Sequence, residues 1–316
     1  MLLADYSNCL LPGHESPDET GLWFAGSLSS GPVPRPRTGT DGEDVATLIL
    51  VGPGRAGLAL GVALQRAGHR AAGVLARRRG AASTAARQLE TQVLDWDEDL
   101  PSADLLVVAV RDDAIEEVAA RLAPHAGAVR YAVHLSGLKP VAALQALSAA
   151  GPLIGSLHPL QTLPNPIDGA AALPGAWMAV TADDAGLRGF LVDLARSMGT
   201  HPFPLADAHR DLYHAAAVAS SNYVIAALAL AEELFGRAGV PFAAARPLVE
   251  AVTDNAFRLG PLAALTGPIA RSDVGTVRGQ LAAVARWAPE MEDDYRAFAR
   301  ATARVAGTSA TFEEIL

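Results

Sequence analysis

The sequence predicts an open, doubly wound α/β sheet followed by an all-helical C-terminal domain, and three observations carry that prediction. Short uninterrupted apolar runs, "TLILV" at 47–51 and "LLVVAV" at 105–110, have the character of strands buried on both faces. Such runs alternate with amphipathic helix-length segments as far as residue 205. Beyond that point the strand pattern stops and only helical segments follow.

Taken in order, residues 1–44 are rich in Gly, Pro, Ser and acidic side chains ("SSGPVPRPRTGTDGED") and are expected to form a flexible leader. The sheet domain is expected over 45–205 and the helical domain over 206–310. "TLILVG" is a buried strand, Leu58 to Ala67 a helix closed by Gly68, and "RAAGVLA" (70–76) a second strand. "LLVVAV" is the third strand, "DAIEEVAARLAP" (113–124) a helix and "VRYAVHLSG" (129–137) the fourth strand. "PLIGSLHP", "AWMAVTA" and "THPFPLA" extend what is expected to be a parallel sheet, around helix "LRGFLVDLARSMG". Residues 207–239, 242–260 and 277–289 read as helices. The longest apolar run, His214 to Phe235, contains Ser220, Ser221 and Asn222 and ends in Glu232 and Glu233, so a buried helix is expected rather than a membrane span.

The bulk numbers narrow the function. A formal charge of −9 over 316 residues excludes a binder of nucleic-acid backbone. Cys9 is the only cysteine, which fits a reducing compartment, and the opening "MLLADYSNCLLPGHESPDE" lacks the basic and apolar regions of a signal peptide. A cytoplasmic setting is expected, with a small-molecule substrate and neither a nucleic-acid nor a membrane partner. Lys139 is the one lysine, so amine chemistry has a single candidate.

"VGPGRAG" places Gly52, Gly54 and Gly57 at G-x-G-x-x-G spacing between a strand and a helix, the context a dinucleotide turn needs. Gly52 would make the turn, Gly54 would let a pyrophosphate approach, and Gly57 would let helix and strand pack closely. Arg55 and Ala56 open the helix whose free N–H groups would face the phosphates. At the end of the second strand, where an NAD site usually carries an acid for the ribose 2′-OH, stand Ala76, Arg77, Arg78 and Arg79. Guanidiniums suit a 2′-phosphate, so NADP (as NADPH) is the expected cofactor; the alternative is a solvated arginine face. Val110, Arg111 and Asp112 follow the third strand, with Asp112 able to cap the next helix, and His134 and Ser136 end the fourth. His158 stands one strand further on. No metal site is expected: His209 and His214 are five residues apart and diverge on a helix.

"VGPGRAG", "VVAVRDDAI", "HLSG", "GSLHPLQT", "YHAAAVASSNY" and "LTGPIARSD" occur in that order. As a set they resemble a family of short Rossmann-like oxidoreductases with an uncharacterised helical C-terminal domain. That family is similar to ketopantoate reductases, pyrroline-5-carboxylate reductases and β-hydroxyacid dehydrogenases. The resemblance implies hydride transfer to a small 2-oxo or imino acid and a homodimer through the helical domain. It also exposes a departure, because the relatives' helix carries Lys four residues before Asn. Here Val218 precedes Asn222 by four.

Spacing along that helix puts Arg210, His214, Val218 and Ser221 on one face with Asn222 beside them. His214 or His158 would protonate or polarise the reacting heteroatom, since histidine titrates near neutrality. Asn222 and Ser221 would orient the substrate, and Thr266 and Arg271 would hold its carboxylate. The family usually has Gly where Ser272 stands, so the local turn is expected to differ. The rival readings are a non-catalytic dinucleotide sensor and a deazaflavin-linked NADP oxidoreductase.

Overall fold

The computed structural model describes residues 45–316, so the expected leader at 1–44 lies outside the described residues. Seven strands form one sheet in the order β2-β1-β3-β4-β5-β6-β7. They are β1 (Thr47–Val51), β2 (Arg70–Leu75), β3 (Ala103–Val108), β4 (Val129–His134), β5 (Leu153–Leu160), β6 (Trp177–Thr181) and β7 (His201–Pro204). Helices α1 (Arg55–Arg66), α2 (Arg79–Gln88), α3 (Ile115–Leu122), α4 (Gln145–Ala150), α5 (Pro166–Ala172) and α6 (Ala185–Ser197) cover its two faces. One apolar core runs from Leu50 and Leu60 through Val107 and Val133 to Leu157 and Leu191. A second, on the opposite face, gathers Ile49, Leu75, Leu106, Ile115 and Leu144. Because β1 and β3 bury both faces over Leu48–Val51 and Leu105–Val108, those stretches are continuous apolar runs without alternation, whereas β4 keeps an exposed Arg130 before its buried end.

Three details depart from expectation. α1 starts at Arg55, three residues before Leu58, because Gly54 already serves as its N-cap. β3 stops at Val108 rather than Val110: its partner β1 ends at Val51, and Gly52, at φ +83°, turns the chain out of the ladder. The sheet is also not wholly parallel. β6 pairs antiparallel with β5, Ser156 opposite Thr181 through Leu160 opposite Trp177, and β7 runs parallel to β6. The short α5 packs on α1 through Gly169, whose would-be Cβ stands 3.0 Å from the Ala59 methyl, and from there the chain returns in the reverse sense. At the sheet's edge, β7 has the sequence "HPFP", and His201 and Leu205 donate to the carbonyls of Ala176 and Val180.

The remaining helices are α7 (Arg210–Arg237), α8 (Arg246–Leu259), α9 (Pro261–Ala264), α10 (Val274–Trp287), α11 (Glu292–Ala306) and α12 (Ser309–Phe312). α10 to α12 share a small core of Val277, Leu281, Ala303 and Phe312. The expected buried helix is not buried. α7 is long and apolar enough to cross a membrane by length and composition, yet only 6% of its apolar window is buried within the chain. Among the described residues only Arg210 and Leu230 of this helix are buried.

Candidate functional site

The turn after β1 is built so that each glycine answers a different constraint. At Gly52 a Cβ would sit 2.8 Å from the Ala109 carbonyl oxygen and at a positive φ. At Gly57 it would meet the Ala109 Cβ and the Gly52 carbonyl oxygen at 2.6 Å, so absence of a side chain is a packing requirement. At Gly54 a Cβ would meet nothing within 4 Å, and φ −75°, ψ −168° suits any residue. The fold itself does not need glycine there; the open space in front of it does. α1 begins at that point with no side-chain cap and no acid in its first turn, leaving its N–H groups free for an anion. A cavity of about 630 Å³ opens here, lined among others by Gly54, Arg55, Ala56, Val110, Arg111 and His158. That volume lies in the range of small-molecule sites.

At the end of β2, Arg77, Arg78 and Arg79 are exposed, and α2 starts at Arg79 without a side-chain cap. Three guanidiniums and an open helix N-terminus share this turn, with no acid among them. Trp96 escaped the sequence reading: its indole N–H donates to the Ala76 carbonyl at 3.3 Å, and the Arg121 guanidinium lies 4.9 Å from the ring centre. It pins the base of the arginine turn from a segment that bridges beside β2 at Val93.

The ends of β3 and β4 are more self-absorbed than expected. Asp112 does not cap α3; its carboxylate accepts from the Ser136 hydroxyl at 2.8 Å. Ser136 Oγ in turn accepts from the amides of Leu138 and Lys139. Arg111 forks onto Asp113 through Nε at 3.1 Å and Nη2 at 2.7 Å. His134 is fully buried, with Nδ1 accepting from the Ser136 amide and Nε2 against the Pro140 carbonyl. Both ring nitrogens are spent on the turn, so His134 offers the cavity no polar atom. Lys139 pairs with Glu116 at 3.5 Å on the surface.

His158, on β5, faces a different neighbour. Its Nδ1 lies 2.7 Å from the Tyr213 hydroxyl, with the rings edge to face. Burial pushes the Tyr213 phenol up to about 12, so it keeps its proton. Burial first, then the adjacent His214 and Arg210, pulls His158 down to about 4. The expected imidazolium donor is therefore not available at His158 near neutrality. With the phenol as donor, the neutral ring carries its proton on Nε2. Arg210, 2% exposed, roots α7 in the sheet: Nε meets Asp207 at 2.5 Å, Nη1 donates to the Ser136 carbonyl at 3.1 Å and Nη2 to Thr181 Oγ1 at 2.8 Å. It shares a helix face with His214, as expected, and its three acceptors make it an anchor.

These shifts carry a pH prediction. His134 also titrates at about 4, mainly through burial, whereas an unfolded histidine titrates near 6.5. As pH falls, the unfolded chain takes up protons first. The stability that the two neutral rings contribute is thus complete above roughly pH 6.5 and is lost progressively down to about pH 4. Urea midpoints should fall steadily across that window, and His158→Gln should make the fall shallower.

The C-terminal candidates are not brought to the cavity within one chain. Ser221 donates to the Ala217 carbonyl at 2.7 Å, and Asn222 stands exposed beside it. Thr266 and Arg271 sit in the loop before α10, where Ile269 packs on the α10–α12 core. Asp273 does not pair with Arg271: its carboxylate accepts from the Thr276 amide at 3.0 Å and the Thr276 hydroxyl at 2.7 Å, capping α10. Among the described residues Arg271 has no ion-pair partner within 4.0 Å. Ser272 adopts φ +58°, so the turn keeps a glycine-favouring shape although the residue is serine.

Residues 40–159 match the model of a Rossmann-like domain, and residues 176–302 match DUF2520, a domain of unknown function. The second match begins inside the sheet, just before β6, so it takes in the reversed strands together with the helices. No curated protein matches the sequence significantly. Among solved structures the chain is similar to a "putative NADP oxidoreductase" from Bacteroides fragilis, at 25% identity and TM-score 0.69 over 82% of this chain and 98% of that one. A protein from Thermotoga maritima aligns at 21% identity and TM-score 0.66, over 82% and 99% of the two chains. An imine reductase from Streptomyces aurantiacus aligns at 17% and TM-score 0.61, over 84% and 95%. The last two speak to the fold.

Proposed function

Because the chain joins a Rossmann-like domain to a DUF2520 domain, we propose that it is an NADP-dependent oxidoreductase that reduces a small 2-oxo or imino acid. The observation that carries this reading is the pairing of an uncapped helix with the open face of Gly54, one strand from an exposed arginine turn. The backbone N–H groups of Arg55 and Ala56 would take the pyrophosphate, and Arg77 and Arg78 the 2′-phosphate. NADPH, when bound, supplies the hydride. The protein's part at the reacting end falls to His158, the one titratable ring that lines the cavity. Its Nε2–H, held in place by Tyr213 on Nδ1, would polarise the substrate oxygen or nitrogen and guide the incoming proton. A cytoplasmic, homodimeric protein without nucleic-acid or membrane partners is part of the same proposal.

Two measurements test it. NADPH should bind more tightly than NADH in a fluorescence titration, and Arg77→Ser with Arg78→Ser should weaken NADPH at least about tenfold while leaving NADH nearly unchanged. NADPH oxidation against a panel of 2-oxo acids and cyclic imines then reads the reaction. Tight NADPH binding with no turnover across the panel would favour the sensor reading, for which the departure from lysine at Val218 is the motive.

A further inference from the structure

The geometry points to Gly137 as a positioning residue. Its bare Cα is the platform on which the His158 imidazole lies flat, so that Nδ1 meets Tyr213 and Nε2 is left facing the cavity.

Gly137 is buried in the turn that follows β4. Its backbone is not what demands glycine, since its φ is not among the positive ones. The demand comes from a side chain on the neighbouring strand. A Cβ at Gly137 would stand 2.8 Å from His158 Nε2, 2.9 Å from Cε1 and 3.1 Å from Cδ2. Similar distances to Nε2 and to both of its ring neighbours put that position over the face of the ring, not beyond its tip. A methyl group is not sustained that close to three heavy atoms, so with any other residue the ring or the turn must shift.

The turn is the stiffer of the two. Ser136 Oγ donates to Asp112 at 2.8 Å and accepts from the amides of Leu138 and Lys139 at 3.1 and 2.9 Å. The Ser136 carbonyl accepts from Arg210 at 3.1 Å. These bonds hold the backbone on both sides of Gly137. The ring is therefore what moves, and lifting it off the platform draws Nδ1 away from the Tyr213 hydroxyl, 2.7 Å distant.

The other ring nitrogen shows what the arrangement presents. No buried side-chain nitrogen or oxygen among the described residues lacks a partner. Nε2 of His158 has none among those residues, and His158 lines the cavity, so this nitrogen opens on it. A ring free to rotate or flip would offer the cavity a carbon or an unprotonated nitrogen as readily as an N–H. Gly137 sets the plane of the ring, and Tyr213 sets its flip and tautomer. A donor held this way needs no reorganisation when its acceptor arrives. The use of that donor on a reacting heteroatom rests on the function proposed above; the orientation of the ring does not.

The test reads the ring directly, in the free full-length protein at pH 7. Long-range proton–nitrogen NMR of His158, assigned by its loss in His158→Ala, should show a protonated Nε2 and a bare Nδ1. Gly137→Ala should move both nitrogens towards the average of two exchanging tautomers. Tyr213→Phe, with the platform intact, should do the same. Urea unfolding then closes a double-mutant cycle. Gly137→Ala should lower the midpoint in the parent and leave it unchanged in a His158→Ala background, where no ring stands in the way. If Gly137→Ala alone does not fold, the double variant still should. A parent-like nitrogen pattern in Gly137→Ala would overturn the proposal. So would an equal loss of stability in both backgrounds, or a double variant less stable than His158→Ala. The expected nitrogen patterns without turnover on any 2-oxo acid or cyclic imine would strike the function and leave Gly137 in its role.

Discussion

Gly54→Val is expected to lower NADPH affinity at least about tenfold, some 1.4 kcal/mol or more, while leaving the melting temperature close to that of the parent. The Cβ it adds meets no protein atom within 4 Å, and the backbone at Gly54 is extended rather than glycine-specific, so the fold does not require glycine there. It would fill the space in which a pyrophosphate must approach the first amides of α1. The contrast is Gly57→Val, which drives a Cβ into the Gly52 carbonyl and should cost about 1–3 kcal/mol or more of stability before binding is even asked about. Calorimetric titration beside thermal unfolding separates the two. Equal losses of stability in both variants would mean the Gly54 space is structural.

Arg210→Met is expected to lower the unfolding free energy by about 3 kcal/mol or more, read from urea denaturation at pH 7. The Ser136 carbonyl and the Thr181 hydroxyl would lose a buried donor, and Asp207 its ion pair. Asp207 is 38% exposed at its side chain, so water offsets part of that last term. Arg210→Lys should recover only a fraction, because an ammonium is a point donor and cannot span three acceptors set around a planar fork. A Met variant as stable as the parent would remove Arg210 as the root of α7.

Much of this was legible from local sequence, and the rest depended on contacts the sequence does not bring close. The glycine turn could be read because its whole logic sits in six residues between a strand and a helix. The arginine turn was visible for the same reason. Arg210 does share a helix face with His214, but its anchoring role could not be read because its acceptors, Ser136 and Thr181, are 74 and 29 residues away. Tyr213 went unnoticed beside a more familiar histidine; its partner His158 is 55 residues distant. Asp112 looked like a helix cap, and only the arrival of Ser136 from the next strand shows where its carboxylate is used. Apolar runs announce a strand without its direction, which is why β6 and β7 were read as parallel. The run from His214 to Phe235 suggested burial, yet only 6% of the helix's apolar window is buried among the described residues, because an apolar pattern states a preference and not whether a covering surface is at hand.

The short edge strand β7 has a consequence of its own. His201 and Leu205 turn their amides inward to β6, so the alternate positions face outward, and those are Pro202 and Pro204. The rim of the sheet is therefore stripped of hydrogen-bond donors where a neighbouring backbone would have to dock. Growth by adding strands is closed off on that side, and two molecules cannot fuse there into one continuous fourteen-stranded ribbon. Self-association at this end of the molecule is steered away from backbone pairing, which is promiscuous, and towards side-chain fit along helices, which is selective.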